Sequence, residues 1–429
     1  MGRPLGLARV NDHGAPGHPM TWLVWFVPAI FFLYEYLLRV APGVIEKDLE
    51  KQFHLDEGGM GGALGMYYYA YAPMQLVVGV LLDRYGARLL LTLAAVFCSI
   101  GLVFFSMAET PSELAASRFI VGFGSSFAFI GAIYVAIVWF NEEKVAFLTG
   151  LTAGMGFGIG IFTEWFLADI FGQPPQWRPD MLVLAGVGLV IAAGIWCIVP
   201  QRPAWYLDVK DINKRCSIRE AIGGLGKVMR KPAIWMISLG CAFVYLPLPL
   251  AANWGPRSLG ELLSIPELEG SHLFAWFYLG VALGSPLVGW LSDRMGRRKP
   301  LLVAGAASTS VLTVLIITTA GLTTTSTAIL LLGWGLCTST YILGYPLAAS
   351  AGPKETSGSA IAFVNFIGML LAGIFVWVFG LVVDAIAAAR GHVEGPDASD
   401  FRTMFLLIGI AMILAAGLHL CVRERRKLG

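Results

Sequence analysis

The sequence predicts an all-α membrane protein of twelve transmembrane helices, built as two six-helix bundles related by a pseudo-two-fold axis. Three observations predict this. Of 429 residues, 57% are apolar and only 14% are charged, about half the charged share of a soluble domain. The mean hydropathy is +0.71. A spanning helix takes ~20 apolar residues, so twelve need ~240, close to the ~245 available. The apolar stretches are also long and continuous rather than alternating, which argues against an outer-membrane barrel. Finally, one charged stretch recurs half a chain later, the mark of a duplicated bundle. This composition excludes a soluble enzyme, a nucleic-acid binder and a disordered scaffold.

Along the chain, residues 1–20 are polar and Gly/Pro-rich and read as a cytoplasmic tail. No small-residue cleavage site follows, so the first apolar run reads as a retained helix. The runs fall near 22–44, 60–82, 88–107, 113–139, 146–170, 181–199, 233–255, 272–291, 301–321, 327–349, 358–384 and 402–422. Residues 21–199 therefore form an N-terminal bundle and 232–422 a C-terminal one. A basic cytoplasmic linker, 200–231, joins them, and 423–429 is a second cytoplasmic tail. Internal prolines such as Pro73, Pro247 and Pro286 are tolerated because neighbouring helices re-satisfy the backbone.

Orientation follows from Lys and Arg. With the N-terminus inside, 22 of the 30 fall in cytoplasmic segments. Six (Lys47, Lys51, Arg178, Arg257, Arg390, Arg402) fall outside, and Arg39 and Arg118 lie within helices. Both termini are thus expected in the cytoplasm of a bacterium, with the chain in its inner membrane. The six cysteines are scattered singly, without a disulfide or zinc framework.

Gly79-Val-Leu-Leu-Asp83-Arg84-Tyr-Gly86-Ala-Arg88 follows the second run, and Gly289-Trp-Leu-Ser-Asp293-Arg294-Met-Gly296-Arg297 follows the eighth; the aspartates are 210 residues apart. Leu114-x-x-x-Arg118-Phe-Ile-Val-Gly122-Phe-Gly124 lies in the fourth run, and Trp139-Phe140-x-x-x-Lys144 closes it. These stretches resemble the loop 2–3, loop 8–9 and fourth-helix signatures of the major facilitator superfamily. The first copy departs at Ala87, where a basic residue is usual. The resemblance implies a secondary transporter working by alternating access. It also implies that Asp83 faces the start of the eleventh helix and Asp293 the start of the fifth. There Arg84, Arg88, Arg294 and Arg297 would complete a cytoplasmic gate, with each carboxylate on a helix N-terminus. The fifth-helix motif of drug/proton antiporters wants a Gly-Pro pair, and here the proline is missing. Phe31-Phe-Leu-Tyr-Glu35-Tyr-Leu-Leu-Arg39-Val-Ala-Pro42 is similar to a bacterial branch that includes importers of amino acids and small metabolites.

Four charges lie inside apolar runs: Glu35, Arg39, Arg118 and Glu164. Each costs at least ~2.5–3.5 kcal/mol in a bilayer and therefore needs partners. At 1.5 Å per residue all four fall in the outer half of the first bundle, where two acids and two bases can neutralise each other. Glu35 and Arg39 share a face at i, i+4. Arg118 shares one with Gly122, Ser125 and Ser126, read as a cavity wall. These four are the expected substrate or proton-coupling residues. A guanidinium free in a cavity suits a carboxylate, and a desolvated carboxyl can carry a proton. Tyr67, Tyr71 and Gln75 recur every four residues, and with Ser125, Ser126, Asn253, Thr338, Tyr341, Tyr345 and Asn365 they are expected to line the pathway. Small-xxx-small steps at Gly150, Gly154 and Gly158 and at Gly280 and Gly284 suit close helix contact.

No P-loop, metal-ligand cluster or cofactor motif is present, so neither ATP nor a metal nor any cofactor is expected, and the chain is not read as an enzyme. The expectation is a monomer in the bilayer that moves a small solute, carboxylate-bearing such as an amino acid or organic acid, by proton symport. Transport of a siderophore or iron-linked solute, drug or metabolite efflux, and a non-transporting sensor or assembly role stay open.

Overall fold

The structure is a computed structural model. It describes residues 19–140, 142–167, 177–201, 218–319, 321–351, 357–392 and 396–424. Most of both tails, most of the basic linker and the side chains of Asp83 and Lys144 lie outside the described residues. Among the described residues, ten helices are long and apolar enough to cross a membrane: Met20–Val44, Ala87–Met107, Pro111–Trp139, Trp177–Ile198, Pro232–Asn253, Glu267–Met295, Lys299–Thr318, Thr324–Ser350, Ser359–Arg390 and Ala398–Cys421. In chain order they are spans one, three, four and six to twelve.

Spans two and five complete the twelve, and each is interrupted. Span two runs as Glu57–Met74 and then Val78–Tyr85. Between the two, Leu76 N–H bonds to Pro73 and Val77 N–H to Met74, in tight three-residue turns. Span five is Glu142–Phe162, followed by a π-helical turn, Thr163–Leu167. Caps set several starts. Thr110 and Glu113 form a capping box with Pro111 as first helical residue, and Asp397 with Asp400 does the same for span twelve.

Spans one to six pack on one another, as do seven to twelve. The two bundles meet chiefly where span two lies along eleven, five along eight and one along seven. The duplication seen in the Asp83 and Asp293 stretches recurs in the packing. A Cβ on Gly122 would stand 2.1 Å from the Tyr67 carbonyl oxygen, and one on Gly335 would stand 2.0 Å from that of Phe277. Spans four and two, and ten and eight, therefore touch backbone to backbone at equivalent points. The capping box at Thr323 and Ser326 likewise repeats that at Thr110.

One packing expectation is corrected. Gly150, Gly154 and Gly158 face open space. The close approaches of span five are made by Gly156 against the Phe32 ring and Gly160 against the Tyr278 ring. Gly280 and Gly284 do sit tightly against span ten, facing Leu332, Leu336 and Ser339.

The end of the molecule that holds residues 44–57, 253–267 and 384–392 is expected from the charge distribution to face outward, and is called the outer end below.

Candidate functional site

Span one positions Glu35 and Arg39 one turn apart, facing span two. Arg39 Nη2 donates to Glu35 Oε1 at 2.5 Å, and Arg39 Nε donates to the Tyr67 hydroxyl at 3.2 Å. The Tyr67 hydroxyl in turn donates to Glu35 Oε1. Arg39 Nη1 reaches across the seam to the Tyr245 hydroxyl of span seven at 3.5 Å. Its guanidinium carbon lies 5.1 Å from the ring centres of Tyr36 and Tyr71. These rings hold a cation by their negative faces.

Arg118 stands behind Tyr67. Its guanidinium carbon is 4.9 Å from that ring centre, and that of Arg39 is 5.6 Å away. Arg118 Nη1 donates to the Leu38 carbonyl at 2.9 Å, while Nε and Nη2 have no partner. Glu35, Arg39 and Arg118 are 0%, 5% and 1% exposed. The enclosed group thus holds one carboxylate, paired with Arg39, and a second guanidinium with no carboxylate partner.

This corrects two expectations. The face of Arg118, Gly122, Ser125 and Ser126 is packed, not a cavity wall. Gly122 abuts the Tyr67 backbone, Ser125 lies 3.7 Å from the Cys98 sulfur, and the Ser126 hydroxyl bonds to Phe123. The second acid also does not join the arginines. Glu164 sits in the π-turn at the outer end of span five, beside Ser271 of span eight, with Oε2 unpartnered. Depth alone grouped the four, but helix rotation places Glu164 on the seam with the other bundle. π-Turns often mark functional positions.

Towards the inner side, Gln75 and Asn365 tie the bundles. Asn365 Nδ2 donates to Gln75 Oε1 at 2.7 Å, the Tyr345 hydroxyl donates to Asn365 Oδ1 at 3.0 Å, and Gln75 Nε2 donates to the Ser126 carbonyl at 3.1 Å. Tyr245, Tyr341, Tyr345, Asn365, Cys241 and Met369 border one small hollow in the C-terminal bundle. Asn253 and Thr338 are fully buried. Asn253 donates to the Pro249 carbonyl, and Thr338 Oγ1 has no partner. Sequence reasoning did not single out Tyr36 or Tyr245. Tyr36 adjoins Glu35 in sequence, but Tyr245 is 206 residues from Arg39 and no local pattern joins them.

Of the expected cytoplasmic gate, the Asp83 side chain and the side chains at the starts of spans five and eleven lie outside the described residues. Asp293, Arg294 and Arg297 are exposed. Arg294 lies over the Trp290 ring, and Arg88 Nε donates to the Val199 carbonyl at 2.6 Å within its own bundle. Arg84 lies over Tyr85. Between described residues, the hydrogen bonds and ion pairs that join the two bundles lie in the outer half or at Gln75–Asn365.

Comparison with known proteins fits this architecture. The Major Facilitator Superfamily profile matches residues 24–256 and 236–428, and the chain belongs to that family. A probable nitrate/nitrite antiporter, NarK1 of Thermus thermophilus, is 24% identical over 60% of this chain and 58% of its own. The D-galactonate transporter of Escherichia coli O6:H1 (strain CFT073) is 24% identical over 89% of this chain and 92% of its own. The membrane sensor protein UhpC of Escherichia coli (strain K12) is 22% identical over 84% of both chains. Among solved structures, a bacterial homolog of the human lysosomal transporter Spinster superposes with a TM-score of 0.76 at 15% identity, covering 95% of this chain and 97% of that one. The chain is thus a multi-pass membrane protein of a family of small-solute transporters, and not an enzyme.

Proposed function

We propose that the chain carries a small carboxylate-bearing anion across the inner membrane by alternating access, coupled to protons through Glu35. The observation that carries this reading is the charge imbalance of the enclosed trio. With Glu35 ionised, Glu35, Arg39 and Arg118 sum to +1; a proton on Glu35 raises the sum to +2 and strengthens the pull on an anion. Arg39 reaches across the seam to Tyr245, which borders the hollow, so it takes the anchoring role expected of Arg118 from its position in the fourth run. Arg118 supplies a second positive charge behind the Tyr67 ring. A proton on Glu35 would release Arg39 for a bidentate carboxylate contact. Loss of that proton would restore the Glu35–Arg39 pair and displace the solute. Proton and anion would then move together. Relatives named for nitrate/nitrite and D-galactonate, both anions, support the class.

The test is a thermal-shift and liposome-uptake series with D-galactonate, nitrate and neutral D-galactose as probes. An anion should raise the unfolding midpoint of wild type, because a ligand of the folded state stabilises it. Arg39→Gln should abolish that rise while gel filtration stays unchanged. Glu35→Gln should exchange anion across the membrane yet lose accumulation driven by a pH gradient. A response to galactose alone, or wild-type anion binding by Arg39→Gln, would overturn the anion site. Uphill uptake by Glu35→Gln would overturn the coupling.

A further inference from the structure

The outer seam holds a second charged cluster, separate from the central one. Just beyond span one, the short helix Glu46–Phe53 turns Glu46 and Glu50 inward. Glu57 opens span two beside them. From the other bundle, Arg257 on the helix Gly255–Leu263 binds Glu50 with Nη1 and Glu57 with Nη2. Carboxylate oxygens of Glu46, Glu50 and Glu57 all lie within 4.8 Å of one another. Glu46 is 0% exposed and neither of its oxygens has a partner, and Glu57 Oε2 has none either.

The neighbouring elements do not supply the missing positive charge. Span eight contributes Glu267, which pairs with Lys47 at 3.0 Å. Span eleven contributes Asp384, whose carboxylate accepts from the backbone N–H of Glu57 and Gly58, the latter at 2.6 Å. Five acids (Glu46, Glu50, Glu57, Glu267, Asp384) thus meet two bases, Arg257 and Lys47. An ionised carboxylate with no partner cannot stay buried at such an excess. The whole cluster also straddles the line along which the two bundles must part.

We propose that this cluster is a proton-operated latch: Glu46, Glu50 and Glu57, clasped on Arg257, retain at least one proton while the outer seam is shut and release it to the outside when the seam opens. Acid outside then holds the seam shut, and alkali lets it part. The retained proton never reaches the inner side, so the latch regulates the cycle without driving it. Burial is the first cause of a raised affinity for protons at Glu46 and Glu50, which lie outside the spans. A glutamate freed into water titrates near ~4.3. The closed seam is therefore fully favoured below that value, and its advantage is lost as pH rises towards the raised one. For one proton the closed-to-open ratio changes by about tenfold per pH unit within this window.

The proposal assumes a seam that opens, as the transporter reading requires, but it is independent of the solute. The experiment uses the full chain in nanodiscs without substrate and with EDTA. The exposed residues Lys51 and Glu269, on opposite bundles, are replaced by spin-labelled Cys in a background where the native cysteines are Ser. The short-distance population should fall as pH is raised from 5.5 to 8.5. Glu46→Gln and Glu57→Gln, which mimic the protonated acid, should keep the seam shut and flatten the response by roughly tenfold per pH unit. A wild-type distribution unchanged over that range overturns the latch. So does a full pH response in the double Gln variant. A seam shut at pH 8.5 by added calcium, with the pH response confined to calcium-containing buffer, would make the cluster a cation site instead.

Discussion

The outer and inner ends of the two bundles differ in the contacts that their described residues make. At the outer end, a Cβ on Gly43 would stand 2.2 Å from the Ala252 carbonyl oxygen, one on Gly61 2.3 Å from that of Val376, and one on Gly380 2.0 Å from that of Glu57. Arg257 and Lys47 add ion pairs across the same seam. At the inner end, Gly79, Gly150 and Gly289 have nothing within 4 Å, and Asp293 is exposed. The most recognisable motifs therefore mark the end where no contact between the bundles is found among the described residues. The contacts holding this conformation come from residues with no motif at all. A motif marks where a contact forms in some state of the cycle, while packing reports which state is present.

The largest expected effect is at Arg257. Removing one partner of a buried ion pair costs about 3–5 kcal/mol, because the other charges stay enclosed. Arg257→Gln should open the outer seam at pH 8 by at least about a hundredfold. The shift should be smaller at pH 5.5, where protons neutralise the stranded carboxylates. Accessibility of a Cys at Ala252, which is 4% exposed and lies against Gly43 in the same seam, to an impermeant reagent measures it. Unchanged labelling at pH 8 would mean the ion pairs do not hold the seam.

Steric change should come next. Gly61→Val meets backbone on the opposite bundle and cannot be accommodated by a rotamer change. Overpacking typically costs about 1–3 kcal/mol, so labelling of a Cys at Ala252 should rise about 5- to 150-fold. Gly150→Ala, in open space, should leave it unchanged. Equal effects at both positions would erase the distinction between the ends.

Much of this could be read in the sequence. Twelve runs, the duplication and the Glu35–Arg39 pair all follow from local periodicity, which one helix fixes by itself. Glu164 shows the limit. Its depth follows from counting residues, but the face it presents depends on a π-turn that no apolar pattern announces. Arg257 lies 207 residues from Glu50, and in the charge count it was only one of six outer cations. Tyr245 and Asn365 were equally hidden as partners, because each meets a residue of the other bundle. Contacts across a seam between duplicated halves leave no spacing rule behind, whereas contacts within a helix do.

Hydrogen bonding at the middle of the seam should give a smaller effect. A double-mutant cycle on Gln75→Leu and Asn365→Leu should return a coupling of about 0.5–1.5 kcal/mol from unfolding midpoints. Zero coupling would place the tie elsewhere.

The smallest effect is expected at the inner end. Asp293 is exposed here, so Asp293→Asn should leave the stability of this conformation within about 0.5 kcal/mol of wild type. If Asp293 meets the start of span five once the inner ends close, the variant loses a carboxylate–dipole contact in that other state only. Such contacts are worth about 0.3–1 kcal/mol. The equilibrium should then move about two- to fivefold towards the conformation described here, and transport should slow while ligand binding stays unchanged. Distances between spin labels on exposed Arg84→Cys and Arg297→Cys would read the shift directly. A shift towards closed inner ends would mean that Asp293 opposes closure, by repulsion across the seam. No shift at all would leave the second motif as a turn between spans eight and nine.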